Sequence, residues 1–235
     1  MEKTYQGIIL AKKNIGEADR LYFIYTLEEG LVKAVGRGTR KTKAKLSAGL
    51  ENFNLIQITI AKNRGMGNIV GVTIEKNFSL LKTNFYSLKL VFQASQLFRE
   101  WVVSKEEDQK IFYLWKNFLG IINQTKDKEK KSNLIYLGFI FQILDLLGYR
   151  LEVRRCVICR NKLKNNQNYF SAQKGGIICS NCYPDVFNKI KISNNSIKLI
   201  RIFFSNKLET LLKLRINKDD IEELEKILNF FIKWI

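Results

Sequence analysis

The clearest strand in this sequence reads Leu55-Ile56-Gln57-Ile58-Thr59-Ile60-Ala61. Isoleucine takes every second position with polar residues between, so one face of the segment is apolar and the other is polar. Strict alternation of this kind predicts a half-buried β-strand. A second alternating segment follows at residues 69–74, where the apolar face would carry Val70, Val72 and Ile74. Residues 63–68 between the two segments include two glycines and predict a hairpin-like connection.

Three more strands are predicted upstream by segments rich in β-branched and aromatic residues, at residues 5–12, 21–27 and 31–35. Gly16 and Gly30 stand near the breaks between these segments. Five short strands within residues 1–77 predict a small barrel. An OB-type barrel is the favoured form, and an SH3-like barrel is the alternative.

Beyond residue 78 the apolar side chains recur at helical spacing, at about residues 85–98, 111–122, 134–147, 196–214 and 219–234. Gly148 is a predicted C-cap, and Asp219 and Asp220 stand in a first helical turn, where the helix dipole favours acids. The most apolar run, residues 133–148, is short for a bilayer and contains Gln142 and Asp145. It predicts a buried helix rather than a membrane span.

All four cysteines lie in two C-x2-C pairs separated by 19 residues: Cys156, Cys159, Cys179 and Cys182. Two such pairs can bring four thiolates to one tetrahedral ion, and this spacing is typical of zinc sites. Residues 169–171 and 176–178 between the pairs predict a short β-hairpin. With four thiolates the site is closed to water, so we predict one structural zinc ion per chain. Disulfides are disfavoured because the N-terminus shows no secretion signal, which also predicts a cytoplasmic protein.

These signals together predict an α+β protein. Residues 1–77 would form a five-stranded OB-type β-barrel, and residues 78–235 an α-helical domain. A four-cysteine zinc-ribbon-like hairpin, residues 156–182, would be embedded in the helical domain.

The formal net charge is +18 with no histidine, which indicates a polyanionic partner. The chain is also rich in Lys, Asn, Ile and Phe, as AT-rich codons would produce, so the distribution of charge is more informative than its total. Residues 30–50 contain six basic and no acidic residues, and residues 150–192 contain nine basic and two acidic ones. Codon bias alone does not predict this concentration.

Ten cations from these regions and from the hairpin-like connection are candidate nucleic-acid contacts: Arg37, Arg40, Lys41, Lys43, Lys45, Lys62, Arg64, Arg154, Arg155 and Arg160. The competing interpretation is a solvated charged face. For Arg154, Arg155 and Arg160, a second alternative is that they offset the charge of a tetrathiolate–zinc centre.

An enzyme is disfavoured because the sequence has no histidine, no phosphate-binding glycine loop and no carboxylate cluster with metal-ligand spacing. Two other binding functions stay open. One is a zinc-ribbon RNA-binding or ribosome-associated protein, since a small barrel and a basic zinc motif serve RNA equally well. The other is a scaffold that binds mainly proteins.

Four segments in order resemble the RecO family of recombination mediators: Tyr5-Gln6-Gly7-Ile8-Ile9-Leu10, Gly16-Glu17-Ala18-Asp19-Arg20-Leu21, the basic loop at residues 36–45, and Phe141-Gln142-Ile143-Leu144-Asp145-Leu146-Leu147-Gly148-Tyr149 leading to the first cysteine pair. The resemblance implies an OB-fold followed by a helical domain with a zinc site. It implies binding to single- and double-stranded DNA at the basic loop, strand annealing, and help in loading recombinase onto coated single strands. The implied partners are RecR, RecA and single-stranded-DNA-binding protein, at the bacterial nucleoid and without a membrane.

Overall fold

The computed structural model describes residues 1–41, 46–62, 65–102, 108–125, 129–184 and 186–235. The chain divides into two compact units, Met1–Gln124 and Thr125–Ile235. Within the described ranges, no helix is both long and apolar enough to cross a membrane.

Five strands close a barrel in the first unit: β1 (Glu2–Ile15), β2 (Asp19–Thr26), β3 (Gly30–Gly36), β4 (Leu55–Ala61) and β5 (Gly67–Lys76). Their order around the barrel is β1-β2-β3-β5-β4, and β1 pairs with β4 as well as with β2. All neighbours are antiparallel except β3 and β5, which run parallel. This arrangement confirms the predicted OB-type barrel. Along β4, the isoleucines are buried and Gln57 is exposed, as the alternation predicted.

Strand β5 departs from the predicted alternation at Val70. Thr59 pairs with Gly71 and Ile60 with Ile69, so Val70 is an extra residue between them. Such a β-bulge leaves one residue unpaired and shifts the faces of the strand by one position. Ile69 is therefore buried and Val72 packs against the barrel core, whereas Val70 is 48% exposed. The prediction that Val70 shares a face with Val72 is wrong.

Three helices complete the first unit: α1 (Ser79–Lys82), α2 (Phe85–Trp101) and α3 (Gln109–Gln124). Helix α2 begins at Asn84, whose side chain accepts a hydrogen bond from the amide of Ser87 at 2.8 Å, a standard N-cap. Near the other end of α2, the ring of Phe98 meets Tyr25 of the barrel and Trp115 of α3, with ring centroids 4.9 and 5.4 Å apart. These edge-to-face contacts join the helices to the barrel.

In its described residues the second unit contains four helices and a small sheet: α4 (Lys130–Leu146), α5 (Asn194–Ser205), α6 (Leu208–Leu211), α7 (Lys218–Ile232), β6 (Asn168–Ser171), β7 (Gly176–Cys179) and β8 (Lys189–Ile192). Helix α4 is buried on nearly all sides, as its sequence predicted. It ends where Gly148 adopts a φ of 89° and the amide of Tyr149 donates to the carbonyl of Leu144 at 2.7 Å, which confirms the predicted cap.

The single helix predicted at residues 196–214 is wrong, because the structure breaks it into α5 and α6. Asn206 between them is extended, with φ −131° and ψ 154°. The side-chain amide of Gln142 on α4 donates to the carbonyls of Phe203 and Asn206, at 2.7 and 2.9 Å, and so satisfies main-chain groups at the break. The break lets α6 pack closely on Gly138 of α4, where a Cβ atom would lie 2.4 Å from the Leu211 side chain.

The predicted domain boundary at residues 77 and 78 follows the end of β5 by one residue. The first compact unit instead extends to Gln124, because α1, α2 and α3 pack with the barrel. Whether residues 1–77 fold as an autonomous domain stays a prediction.

We expect Phe98→Ala to lower the free energy of unfolding of the first unit by about 3–5 kcal/mol, because it empties a fully buried site between two aromatic rings. Chemical denaturation measures the change. Phe85→Ala is the matched control on the same helix, since Phe85 is 84% exposed and should change stability by no more than about 0.5 kcal/mol. Equal losses in the two variants would contradict the packing described here.

Candidate metal centre and nucleic-acid interface

A short hairpin lies between the two cysteine pairs, as predicted. Strands β6 and β7 pair antiparallel from Asn168 with Cys179 to Ser171 with Gly176, so Cys179 stands at the end of the hairpin. Strand β8, which the sequence analysis missed, pairs with the other edge of β6. The hairpin is thus the core of a three-stranded sheet.

Each cysteine pair lies in a tight turn. In the first turn the amide of Cys156 donates to the carbonyl of Asn161 at 2.9 Å, and the amide of Arg160 donates back to Cys156 at 3.0 Å. Arg160 takes a left-handed conformation, with φ 62°, which lets the chain reverse after Cys159. In the second turn the amide of Cys182 donates to the carbonyl of Cys179 at 3.1 Å. Both turns aim two sulfurs toward one point.

The four sulfur atoms form one cluster. All four Sγ atoms lie within 4.8 Å of one another, and Sγ of Cys159 is 3.9 Å from Sγ of Cys179. The cysteines are free of disulfides. A tetrahedron with metal–sulfur bonds of about 2.3 Å has edges of about 3.8 Å, so this spacing suits four thiolates on one ion. The cluster can therefore hold a metal ion, as the cysteine spacing predicted.

The surroundings shift the pKa values of two of these thiols in opposite directions. Burial tends to raise the pKa of Cys156, but hydrogen bonds from the amides of Cys179, Cys159 and Ile158 lower that pKa to about 7. Burial, together with the neighbouring sulfur groups, raises the pKa of Cys182 to about 12. Thiolates this close repel one another, and a bound cation would offset that repulsion.

Gly176 and Glu152 hold the first cysteine turn against the hairpin. The amide of Ile177 donates to the carbonyl of Glu152 and the amide of Val157 donates to the carbonyl of Ile177, both at 2.9 Å. A Cβ atom at Gly176 would lie 2.4 Å from the Glu152 carbonyl oxygen, so only glycine permits this approach. The hairpin and the turn therefore form one unit.

Three predicted nucleic-acid contacts, Arg154, Arg155 and Arg160, are exposed beside this centre. The carboxylate of Glu152 accepts hydrogen bonds from the main-chain amides of Arg154 and Arg155, at 2.7 and 3.0 Å. Burial tends to raise the pKa of Glu152, but these amides and the charges of Arg155 and Arg160 hold it below its ordinary value. No ion pair between described residues involves these three arginines. Their guanidinium groups face solvent.

In the first unit, Asp19 anchors the start of the basic loop. One oxygen of its carboxylate accepts a hydrogen bond from the Gly38 amide at 2.8 Å, and the other pairs with the Arg37 guanidinium at 2.7 Å. The Gly38 amide and then Arg37 lower the pKa of Asp19. Arg37 also donates to the side chain of Asn68 on β5, at 3.1 Å. Asp19 was not predicted as a site residue, although it lies in a segment that carried the family resemblance.

Arg40 and Lys41 follow in the same ordered turn, and both side chains are exposed. The amide of Arg40 donates to the carbonyl of Ala18 at 3.0 Å, and its guanidinium donates to the carbonyl of Gly16 at 2.7 Å. Neither residue forms an ion pair within the described ranges. The Arg40 guanidinium is thus held in place without being neutralised, and the turn places Lys41 beside it.

The remaining predicted contacts belong to the first unit. Lys62 is exposed at the end of β4, where its amide donates to the carbonyl of Met1 at 2.9 Å. Lys43, Lys45 and Arg64 lie outside the described residues. The basic loop and the arginines beside the cysteines occupy different compact units.

Comparison with known proteins covers nearly the whole chain. The family described as recombination protein O, N terminal, matches residues 1–78, and its C-terminal counterpart matches residues 95–234. A DNA repair protein RecO of Dehalococcoides mccartyi is 29% identical over 230 residues, which cover 98% of this chain and 89% of that protein. Proteins of the same name from Alkaliphilus metalliredigens and Listeria monocytogenes are each 25% identical, over 97% and 98% of this chain and 91% and 88% of their own lengths.

We expect Asp19→Ala to loosen the start of the basic loop, because it removes the acceptor of the Gly38 amide and the partner of Arg37. Limited trypsin digestion should then cut after Arg37 or Arg40 severalfold faster than in the unmodified protein. Glu17→Ala is the matched control, since Glu17 is an exposed acid in the same turn and forms none of these bonds. Identical cleavage rates in all three proteins would show that Asp19 does not order the loop.

Proposed function

The chain belongs to the recombination protein O family, and from this premise we propose that it is a non-catalytic DNA-binding recombination mediator that acts in DNA repair. The DNA repair role follows from the family and from its named relatives. The finer proposal is that the protein binds single- and double-stranded DNA, anneals complementary strands and helps to load recombinase onto coated single strands. It acts at the bacterial nucleoid.

The observation that carries this proposal is the exposed, unneutralised charge of Arg40 and Lys41 in the basic loop. Arg40 and Lys41 extend from a turn that main-chain bonds hold to the barrel, and they have no acidic partner in the described part of the chain. The Arg40 guanidinium already donates to the Gly16 carbonyl, so it loses little side-chain freedom when a phosphate arrives. Lys43 and Lys45 continue the charged sequence, and Lys62 and Arg64 add charge at the β4–β5 connection.

Annealing needs no catalytic group. Two strands repel each other through their phosphates, and a protein that neutralises both while holding them close removes that barrier. The second cluster, Arg154, Arg155 and Arg160, offers further exposed cations for this purpose. Phosphate contacts carry no base identity, so we expect binding that is largely independent of sequence and strongly dependent on salt.

We propose that the metal of the cysteine cluster is a single zinc ion with a structural role. Four thiolates at tetrahedral spacing are the ligand set that zinc prefers, and they leave no coordination position for water or substrate. When bound, zinc would join the two turns and add folding free energy to a sheet of only three short strands.

The proposed protein partners are RecR, RecA and single-stranded-DNA-binding protein. A cavity of about 170 Å³ in the second unit supports a contact with the acidic tail of the last of these. Arg150, Arg154 and Arg201 line it together with Glu152 and the half-buried ring of Phe204. Arg150 is paired with Asp145, so among the described residues Arg154 and Arg201 supply the unpaired positive charge beside the apolar ring. Binding of a tail peptide at low salt tests this contact.

We expect the double substitution Arg40→Ala and Lys41→Ala to lower the salt slope of single-strand binding by about 1.4, since each lost phosphate contact removes about 0.7. Affinity should fall to a similar degree for several unrelated sequences. Folding stability should barely change, because the side chains are exposed. Fluorescence anisotropy across a salt series measures the slope.

The matched control for this pair is Lys226→Ala with Lys233→Ala, which removes the same net charge from exposed positions at α7. It should leave the slope nearly unchanged. If both double variants lowered the slope equally, binding would follow net charge alone. If neither did, the binding face would lie elsewhere, with Arg154, Arg155 and Arg160 the next candidates.

We expect purified, reduced protein to carry about one zinc per chain and Cys159→Ser to abolish this stoichiometry. Cys159 is exposed, so its replacement costs little packing, and any loss of thermal stability reports the lost metal. Ser180→Ala in the second cysteine turn is the control and should keep both the metal and the stability. Freshly prepared protein that contains no zinc by elemental analysis would contradict the proposal.

A further inference from the structure

A cavity of about 590 Å³ opens in the first unit between the barrel and the last turns of α2. Strands β2 and β3 contribute Phe23 and Lys33, the β4–β5 connection contributes Lys62 and Met66, and α2 contributes Arg99. Its volume lies within the range of about 300–1,000 Å³ that accommodates small organic ligands. Among the ten predicted nucleic-acid contacts, Lys62 lines this cavity.

The ring of Phe23 is the centre of this cavity. It is only half-buried, although it lies on a barrel strand. The ammonium of Lys33 is 5.5 Å and the guanidinium of Arg99 is 5.4 Å from the ring centroid, so two cations rest on one aromatic group. A half-buried ring with flanking cations presents an apolar surface and positive charge at the same place.

The charge of the cavity is predominantly positive. Lys33, Lys62 and Arg99 form no ion pair within the described ranges. Of the two lining acids, Glu29 is paired with Lys3, and the Lys3 ammonium lowers its pKa. Glu100 is exposed at the rim and accepts a hydrogen bond from Gln96 at 3.2 Å. The acids therefore leave a net positive lining.

We propose that this cavity receives one unpaired nucleotide of a single DNA strand, with its base on the ring of Phe23 and its phosphate beside Lys33 and Arg99. A base that enters would displace the side chain of Lys33 or Arg99 from the Phe23 ring. The displaced cation would then contact the phosphate of the same nucleotide. Base–aromatic stacking is stronger than an exposed cation–π contact, so the exchange is favourable. This inference rests on the proposed DNA binding and names the place where the protein distinguishes strands.

The cavity separates single from double strands by a simple steric rule. A base that lies on Phe23 inside the cavity has left the duplex stack, so a paired base of a duplex does not enter. The basic loop, which contacts phosphates, serves both forms of DNA, whereas the cavity serves only the unpaired form. During annealing, base pairing would withdraw the nucleotide from the cavity, so the finished duplex loses this contact and is released more readily.

Phe23→Leu tests the proposal, because it keeps an apolar side chain of similar size and removes the aromatic face. We expect single-strand affinity to fall about 5- to 100-fold with an unchanged salt slope, since no charge is lost. Duplex affinity should stay the same. Phe23→Tyr should retain single-strand binding. Phe85→Leu is the matched control, an exposed phenylalanine of α2 outside the cavity, and should leave both affinities unchanged.

Two further measurements complete the test. Arg99→Gln should lower the single-strand salt slope by about 0.7, because it removes one phosphate contact. Irradiation of a bound strand that contains 5-iododeoxyuridine should link it to the peptide that includes Phe23. Links confined to other peptides would overturn the proposal.

The failure of this inference and the failure of the proposed function look different. If the unmodified protein shows no salt-dependent binding to DNA, the proposed function itself fails. If it binds single strands and Phe23→Leu binds them equally well, or loses single- and double-strand affinity alike, only the cavity proposal fails. Binding of a free nucleoside monophosphate with strand affinity unaffected by Phe23→Leu would also overturn it.

Discussion

The barrel depends on β1, whose 14 residues are divided between two neighbouring strands. Its first half pairs with β4 and its second half with β2, and the two pairings overlap at Gly7 and Ile8. A Cβ atom at Gly7 would lie 2.6 Å from the side chain of Ile24, so this overlap requires a small residue. The register of β1 with β2, and of β2 with β3, then places the turn formed by residues 16–19 beside the start of the basic loop.

Both candidate binding regions share one electrostatic arrangement, in which main-chain amides satisfy the acids. Asp19 accepts from Gly38, and Glu152 accepts from the amides of Arg154 and Arg155. Asp19 also pairs with Arg37, but Arg40 and Arg154 form no ion pair within the described ranges. Arg40 and Arg154 thus keep their charge for a partner outside the molecule. Even a basic chain requires local acids, and their placement decides which cations stay available.

Features that repeat along the chain were predictable from the sequence. The alternation in β4, the burial of α4, the cap at Gly148 and the meeting of four cysteines all follow from local spacing. Features that depend on distant residues were not. The bulge at Val70 depends on how β5 meets β4, and the break between α5 and α6 depends on Gln142, a side chain of another helix. The anchoring role of Asp19 and the grouping of Phe23, Lys33 and Arg99 likewise arise only after folding, because their elements are far apart in sequence.

The parallel contact of β3 with β5 has a consequence for the motions of the barrel. Among the described residues, Ala34 with Gly67 and Val35 with Asn68 are the only pairs across it, whereas the other seams are much longer. Local opening is easiest where backbone pairs are fewest, so thermal opening of the barrel should begin between β3 and β5. Arg37 spans this seam through its bond to Asn68. Binding of a polyanion to Arg37 would therefore shift the equilibrium between the closed and the locally opened barrel. Opening of the barrel would in turn change the affinity for the polyanion, because the two equilibria are thermodynamically linked.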